Sequence, residues 1–513
     1  MSFRSASGRL VRWDNTDLPA FSNFAFCEKY YRAHSVLRRI LSLARKLQYR
    51  SVLVEEIRST DCALLAAEDE ALHLRCPDFE GSDVHRLAFF RSPKDTPPKE
   101  HEFLGHAVFK TDRFAGDVIR SHVYESVLRP VRGADDNNFL HTQKDFDLST
   151  AAGSGSVRGV LYAQQNDLTF ACAHVALRTA LSCFLPTSDI TYREINELVG
   201  IKHDDPKTRV GEGTGRGLKP SQLEHILKHY GAPFSRLNQE PSKLSMPANI
   251  EYQAAVYASI ESGQPALLGF GLEADPATKE TARHMITIIG HTFNDDAWVP
   301  DAERFYFRRD QGYFPSERWL STYVAHDDNV GPYYCLPRYY LTQQSFRVLF
   351  SLQPSTASLS LPEVEALAYS SLVSVHTSIP AIGVVWYDRF AAYARTKSLV
   401  LRSFQRARQQ YIDHLAGICD VHGQRFPAGE VANVEKLLPD HFWVTEISAP
   451  ELFPVSRQKF GEIIFPLDRP ANGSTAIPLF TRLPGVIITG LKPRRVQPDG
   501  YTPLFKISPQ AAH

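Results

Sequence analysis

Seven cysteines are spread along the 513-residue chain, at positions 27, 62, 76, 172, 183, 335 and 419. They are odd in number and include no Cys-x-x-Cys pair, which fits neither a disulfide framework nor a zinc site. One of them stands where a thiol could react. The residues before Cys172 (QQNDLTFA) are polar and turn-like, and those after it (AHVALRTAL) carry apolar side chains at helical spacing. This predicts a buried helix with Cys172 in its first turn. Unpaired N–H groups and the positive end of the helix dipole favour a thiolate there. Ala171 and Ala173 leave room for a substrate carbonyl. A buried structural cysteine is the plainer alternative for the residue taken alone, so its partners have to decide.

Downstream, residues 282–291 read ARHMITIIGH. His284 opens a β-branched run that predicts a buried strand. A histidine at the mouth of such a strand is held rigidly enough to serve a thiol as a base. The run STYVAHDDNVGPY then delivers Asp327 and Asp328 at the end of a second predicted strand. A carboxylate there accepts the other ring N–H of a histidine and fixes its tautomer.

Several stretches together resemble papain-like cysteine peptidases, especially the bacterial peptidase domains that process double-glycine bacteriocin leaders. They are Gln165 to Ala176, Gly263-Gln264-Pro265-Ala266-Leu267, His284 to Gly290, and Tyr323 to Asp328. The resemblance covers only the middle of the chain. It implies a Cys172 nucleophile, a His284 general base and acid, and an Asp327 that orients His284. It also implies an oxyanion hole made by the Cys172 backbone N–H and a side-chain amide. The family's glutamine falls six residues before its cysteine, where this chain has Asn166. One extra residue in the turn gives the role to Gln165, with Gln164 and Asn166 as alternatives. Asp328 and Asp301 remain alternatives for the third position. No cofactor or metal is implied.

His174 and His291 are expected to be structural. Two further patterns are set aside. The run VGEGTGRG lacks a preceding strand and the Gly-Lys-Ser/Thr ending of a phosphate loop. His225 and His229 have metal-binding spacing, but no Glu follows His225 as in a zinc-protease motif.

The elements that must position these residues fall into three blocks, and the fold class expected is α+β throughout. Residues 1–146 read as a helix near 24–48 followed by short strands, including SVLVEEI and ALLAAEDEALHLRC. Residues 158–345 form the peptidase-like block, a cysteine-bearing helix on an antiparallel sheet, with 294–319 as an insertion. Residues 360–513 begin with a long amphipathic helical region, 387–418, and continue in strands. The small, polar stretch 147–157 reads as a linker. A chain of this length is expected to divide into domains.

Lys+Arg and Asp+Glu are equal at 57 each, so no net charge draws the chain to nucleic acid or an anionic membrane. No apolar run is long enough to span a bilayer and no secretory signal opens the sequence, so a reducing cytoplasm is the expected location. The function expected is a cysteine peptidase acting on a peptide or isopeptide bond of a protein or peptide substrate. The alternatives are an acyltransferase or transglutaminase-like enzyme using the same three residues, and an inactive protein-binding scaffold. The flanking blocks are expected to position the substrate or bind a partner protein.

Overall fold

The computed structural model describes residues 7–12, 31, 34–49, 51–58, 60, 62–91, 103–130, 138–140, 143–151, 153–166, 172–185, 190–202, 218–238, 249–274, 281–292, 312–338, 346–420, 422–496 and 504–506. The chain is α+β, built on three main sheets that are antiparallel except for one strand pair.

The first sheet is a meander of β1 (Ser7–Arg12), β2 (Ser51–Ile57), β3 (Phe79–Phe90), β4 (Phe103–Phe114) and β5 (Val118–Leu128), paired in that order. Helix α1 (Ser35–Lys46) buries Val36, Leu37, Ile40, Leu41 and Ala44 against it, and the His34 side chain caps its first turn by accepting from Leu37 N–H. The segment expected as the strand ALLAAEDEALHLRC is instead helix α2 (Ala63–Arg75). Its Ala, Leu and Glu residues are strong helix formers, and its buried residues Leu64, Leu65, Glu68, Ala71, Leu72 and Arg75 recur at three- and four-residue steps.

Residues 147–157 are not a linker. They belong to a hairpin of β7 (Lys144–Thr150) and β8 (Gly153–Gly159), which follows the short β6 (Asn138–Leu140). Leu148 and Val157 alternate inward and pack on Leu53, Phe90 and Phe103. The glycines that suggest flexibility serve close approach instead. A Cβ on Gly159 would lie 2.5 Å from the Leu128 carbonyl oxygen.

The second sheet positions the site. After α3 (Cys172–Ser182), α4 (Tyr192–Leu198) and α5 (Pro220–His229) come β9 (Phe234–Asn238), α6 (Asn249–Glu261), β10 (Ala266–Ala274), β11 (Thr281–Thr292), β12 (Tyr313–Pro315), β13 (Thr322–Asp327), β14 (Gly331–Pro337) and β15 (Phe346–Leu352). The strand order is β14-β13-β11-β10-β15-β9, with β6 pairing alongside β11. Helix α3 packs Ala173, Ala176, Leu177 and Ala180 with Leu267, Met285, Val348 and Phe350. Helix α6 packs Val256, Tyr257 and Ile260 with Leu268, Ile286, Ile288 and Leu349. Adjacent residues of β10 and β11 thus serve different helices, as the two-residue period of a strand requires.

The expected helical region 387–418 divides into α8 (Val385–Thr396), β16 (Leu399–Ala407) and α9 (Arg408–Gly417), following α7 (Leu361–Ser378). The β-branched and aromatic residues of LVLRSFQRA favour a strand, and all but the last are buried in a sheet covered on both faces. This third sheet runs β12-β16-β17-β19-β20-β21-β22, where β17 is His441–Ser448, β19 Gly461–Phe465, β20 Phe480–Leu483, β21 Val486–Thr489 and β22 Lys492–Arg495, and the two-residue β18 (Gln458–Lys459) lies outside it. The described part of the expected insertion, residues 312–319, supplies β12 to this sheet in parallel with β16. Two strands therefore cross between blocks: β6 joins the second sheet and β12 the third. Among the described residues no helix is long and apolar enough to cross a membrane.

Candidate functional site

Cys172 is the first residue of α3 and is partly buried, whereas every residue from Ala173 to Ser182 is buried. Three polar ties hold the helix in place. Thr287 of β11 donates to the Ala176 carbonyl at 3.0 Å, Arg178 pairs with Glu125 of β5 at 2.6 Å, and His174 bonds Asn196 Oδ1 of α4 at 2.9 Å. His174 thus has a structural place in the helix core. Its ring also meets Tyr192 edge-on.

His284 lies inside β11 rather than at its mouth, opposite Phe270 of β10, whose ring meets the imidazole edge-on at 5.4 Å. Its Nε2 donates to Asp327 Oδ1 at 3.1 Å, and Asp328 Oδ1 lies 3.4 Å from the same nitrogen. His284, Asp327 and Asp328 are 8%, 9% and 4% exposed. The Cys172 thiol lies close enough to this imidazole to contribute to its titration. The structure therefore brings Cys172, His284 and Asp327 together, with Asp328 alongside. Asp301 lies outside the described residues.

The electrostatics follow from this crowding. Burial pulls the His284 pKa down, but the hydrogen bonds to Asp327 and Cys172 and the charges of Asp328 and Asp327 prevail and raise it to about 10. Burial pushes Asp327 up, yet the His284 hydrogen bond and charge, helped by the N–H groups of Asn329 and Val330, hold it below the ordinary carboxylate range. Asn329 N–H donates to Asp327 Oδ1 at 2.9 Å, and its side-chain amide lies 3.4 Å from His284 Nε2. Asn329 is a site residue missed from sequence. It follows the two aspartates directly in the turn, and a short polar side chain is well suited to that place.

The three neighbouring amides differ. Gln164 is engaged with β5: its backbone N–H donates to the Val123 carbonyl at 3.0 Å and its side chain accepts from Val123 N–H at 2.9 Å. Asn166 donates to Glu68 Oε1 at 2.9 Å. Gln165 is half-buried, and among the described residues its amide makes no side-chain hydrogen bond. Residues 167–171, between it and Cys172, lie outside the described residues, as does the glycine-rich run at 210–217.

His291 is buried and donates to Glu261 Oε1 at 2.6 Å, a structural role. His225 and His229 are exposed on α5. Among the described residues, His284, Asp327 and Asp328 form the group of donors close enough to share a cation, within 4.8 Å of one another. The ring nitrogen that a metal would need is the one engaged by Asp327.

Comparison with known protein families, curated proteins and solved structures finds no match for this chain. What can be said of function therefore rests on the geometry of these residues.

Proposed function

We propose that the protein is a cysteine hydrolase of papain-like architecture, acting on a peptide or isopeptide bond of a protein or peptide substrate. The observation that carries this reading is the convergence on His284 of a thiol at a helix start and a carboxylate at a strand end, from three separate elements. Nε2 is taken by Asp327, and Nδ1 is the nitrogen assigned to Cys172. Held in that orientation, the imidazole can carry the thiol proton and later deliver it to the leaving amine.

Cys172 attacks the scissile carbonyl, the amine leaves with the proton carried by His284, and a thioester remains. Water, deprotonated by His284, then releases the acid. The Gln165 amide and the Cys172 backbone N–H are the donors assigned to the oxyanion. The reaction needs a reduced thiol, in keeping with a cytoplasmic setting, and the six described cysteines are all unbridged.

The test is reaction of the full chain with iodoacetamide near neutral pH, followed residue by residue. Cys172 should react ahead of the other thiols. A Cys172→Ala variant should keep the fold and lose turnover of a peptide library by more than a hundredfold. Equal, slow labelling of all thiols would instead favour a scaffold. Preferential transfer to an added amine would identify an acyltransferase.

A further inference from the structure

The turn that carries Asp327 is gripped from outside its own sheet. Arg39 of α1 donates from Nε to the Pro332 carbonyl and from Nη2 to the Tyr333 carbonyl, both at 2.7 Å. Its stem passes close to the turn, since a Cβ on Gly331 would lie 2.7 Å from Arg39 Cδ, and Gly331 has a φ of +117°. Tyr333 itself has a φ of +53°, a left-handed conformation that is costly for an aromatic residue. Its hydroxyl donates to the Leu128 carbonyl at the end of β5, at 2.7 Å.

Two further contacts hold the residues that lead into the turn. Tyr162 O–H points at the Asp327 and Asp328 carbonyls, at 3.4 and 3.5 Å. His326 donates from Nδ1 to the Leu161 carbonyl at 3.0 Å. The strained segment Asp327–Tyr333 thus keeps its shape through residues that lie before Cys172 in the chain.

We propose that Arg39 is a positioning residue of the site, locking the Asp327–Tyr333 segment so that the Asp327 carboxylate stays on His284, and that the N-terminal sheet with α1 is in this way a working part of the hydrolase. The inference rests on the cysteine-hydrolase reading. A strained turn relaxes when its restraints are removed, and Tyr333 is restrained most directly by the arginine on its carbonyl. Relaxation at Tyr333 is passed along β14 to Gly331, which pairs with Asp327 and leads back into the turn holding Asn329, whose N–H holds the Asp327 carboxylate. Arginine suits the task because its planar fork reaches two successive carbonyls at once, whereas a lysine offers one compact charge.

The experiment measures Cys172 alkylation by iodoacetamide as a function of pH in the full-length wild type, Arg39→Met, Arg39→Lys and His284→Ala. Near-UV circular dichroism checks each fold, and Cys419, following the third-sheet helix α9, serves as internal control. Arg39→Met should slow Cys172 labelling about tenfold or more, with a pH profile that moves toward that of His284→Ala, while Cys419 labelling is unchanged. Arg39→Lys should fall between. Wild-type rate and profile in a folded Arg39→Met would overturn the proposal. Should that variant fail to fold, Arg39→Lys decides: slower labelling supports the lock, and the wild-type rate removes it. If His284→Ala also labels like the wild type, it is the hydrolase reading that fails.

Discussion

The imidazole of His284 is surrounded by acceptors of positive charge, and this sets the pH behaviour of the site. Its pKa is raised to about 10 in the folded chain, against about 6.5 for an unperturbed histidine. A group whose folded pKa is raised contributes stability that is fully present below its unfolded value and is lost as the pH climbs through the folded one. Asp327 works in the opposite direction. Its folded pKa is depressed, so its contribution is present above the ordinary carboxylate value and is lost as the pH falls through the folded one. The melting temperature of the wild type should therefore exceed that of His284→Gln most clearly around pH 5–6, and the gap should close as the pH passes about 10. Thermal melts at constant ionic strength check this, and a gap unchanged at higher pH would contradict it. Cys172, His284 and the Asp327–Asp328 pair were legible in the sequence because each sits at a change of pattern, from turn to helix, loop to strand or strand to turn. Asn329 and Arg39 were not, since a turn amide and a helix-surface arginine look ordinary until the chain is folded.

At the level of helices and strands, accuracy depends on how α3 is seated. The Thr287 hydroxyl ties the Ala176 carbonyl to β11, three residues from His284, and so joins the element bearing the thiol to the one bearing the imidazole. Thr287→Val keeps the shape and removes the tie. We expect a loss of about 0.5–1.5 kcal/mol in stability and a fall of about three- to tenfold in the Cys172 labelling rate. Urea melts and the alkylation assay measure the two. A stability loss with no change in labelling would show that α3 is held by packing alone. The elements misread from sequence share a cause. Residues 63–75 and 399–407 each contain short apolar runs, for which helix and strand periods are hard to separate. The buried partners of those runs decided the outcome, as β16 shows by lying inside a sheet with helices on both faces.

Across the chain, the second and third sheets are joined through buried charge. Glu261 at the end of α6 accepts from His291 of β11 and from Arg402 of β16, and Arg402 also donates to Glu446 of β17 at 2.7 Å, with all four side chains buried. Burial alone would lower the Arg402 pKa, but the flanking carboxylates of Glu261 and Glu446 raise it instead. Replacing Arg402 with methionine leaves the buried Glu261 carboxylate with His291 alone, while Glu446 keeps Lys459. That should cost about 3–5 kcal/mol, visible as a lower urea midpoint. The second and third sheets should still unfold in one transition. Separate transitions for the two would show that they are energetically independent. The crossing of β6 and β12 between sheets was not readable from composition and turns, because short strands are recruited by edges that exist only after folding.

The placement of β12 also bears on timing during synthesis. The segment that enters β13, and so leads to Asp327, is anchored at its start on β16, which leaves the ribosome later. At a translation speed of ~5–20 residues per second, a nascent chain displays its thiol and imidazole for several seconds before that anchor exists. On the cysteine-hydrolase reading, the site would then be complete only after β16 has been made.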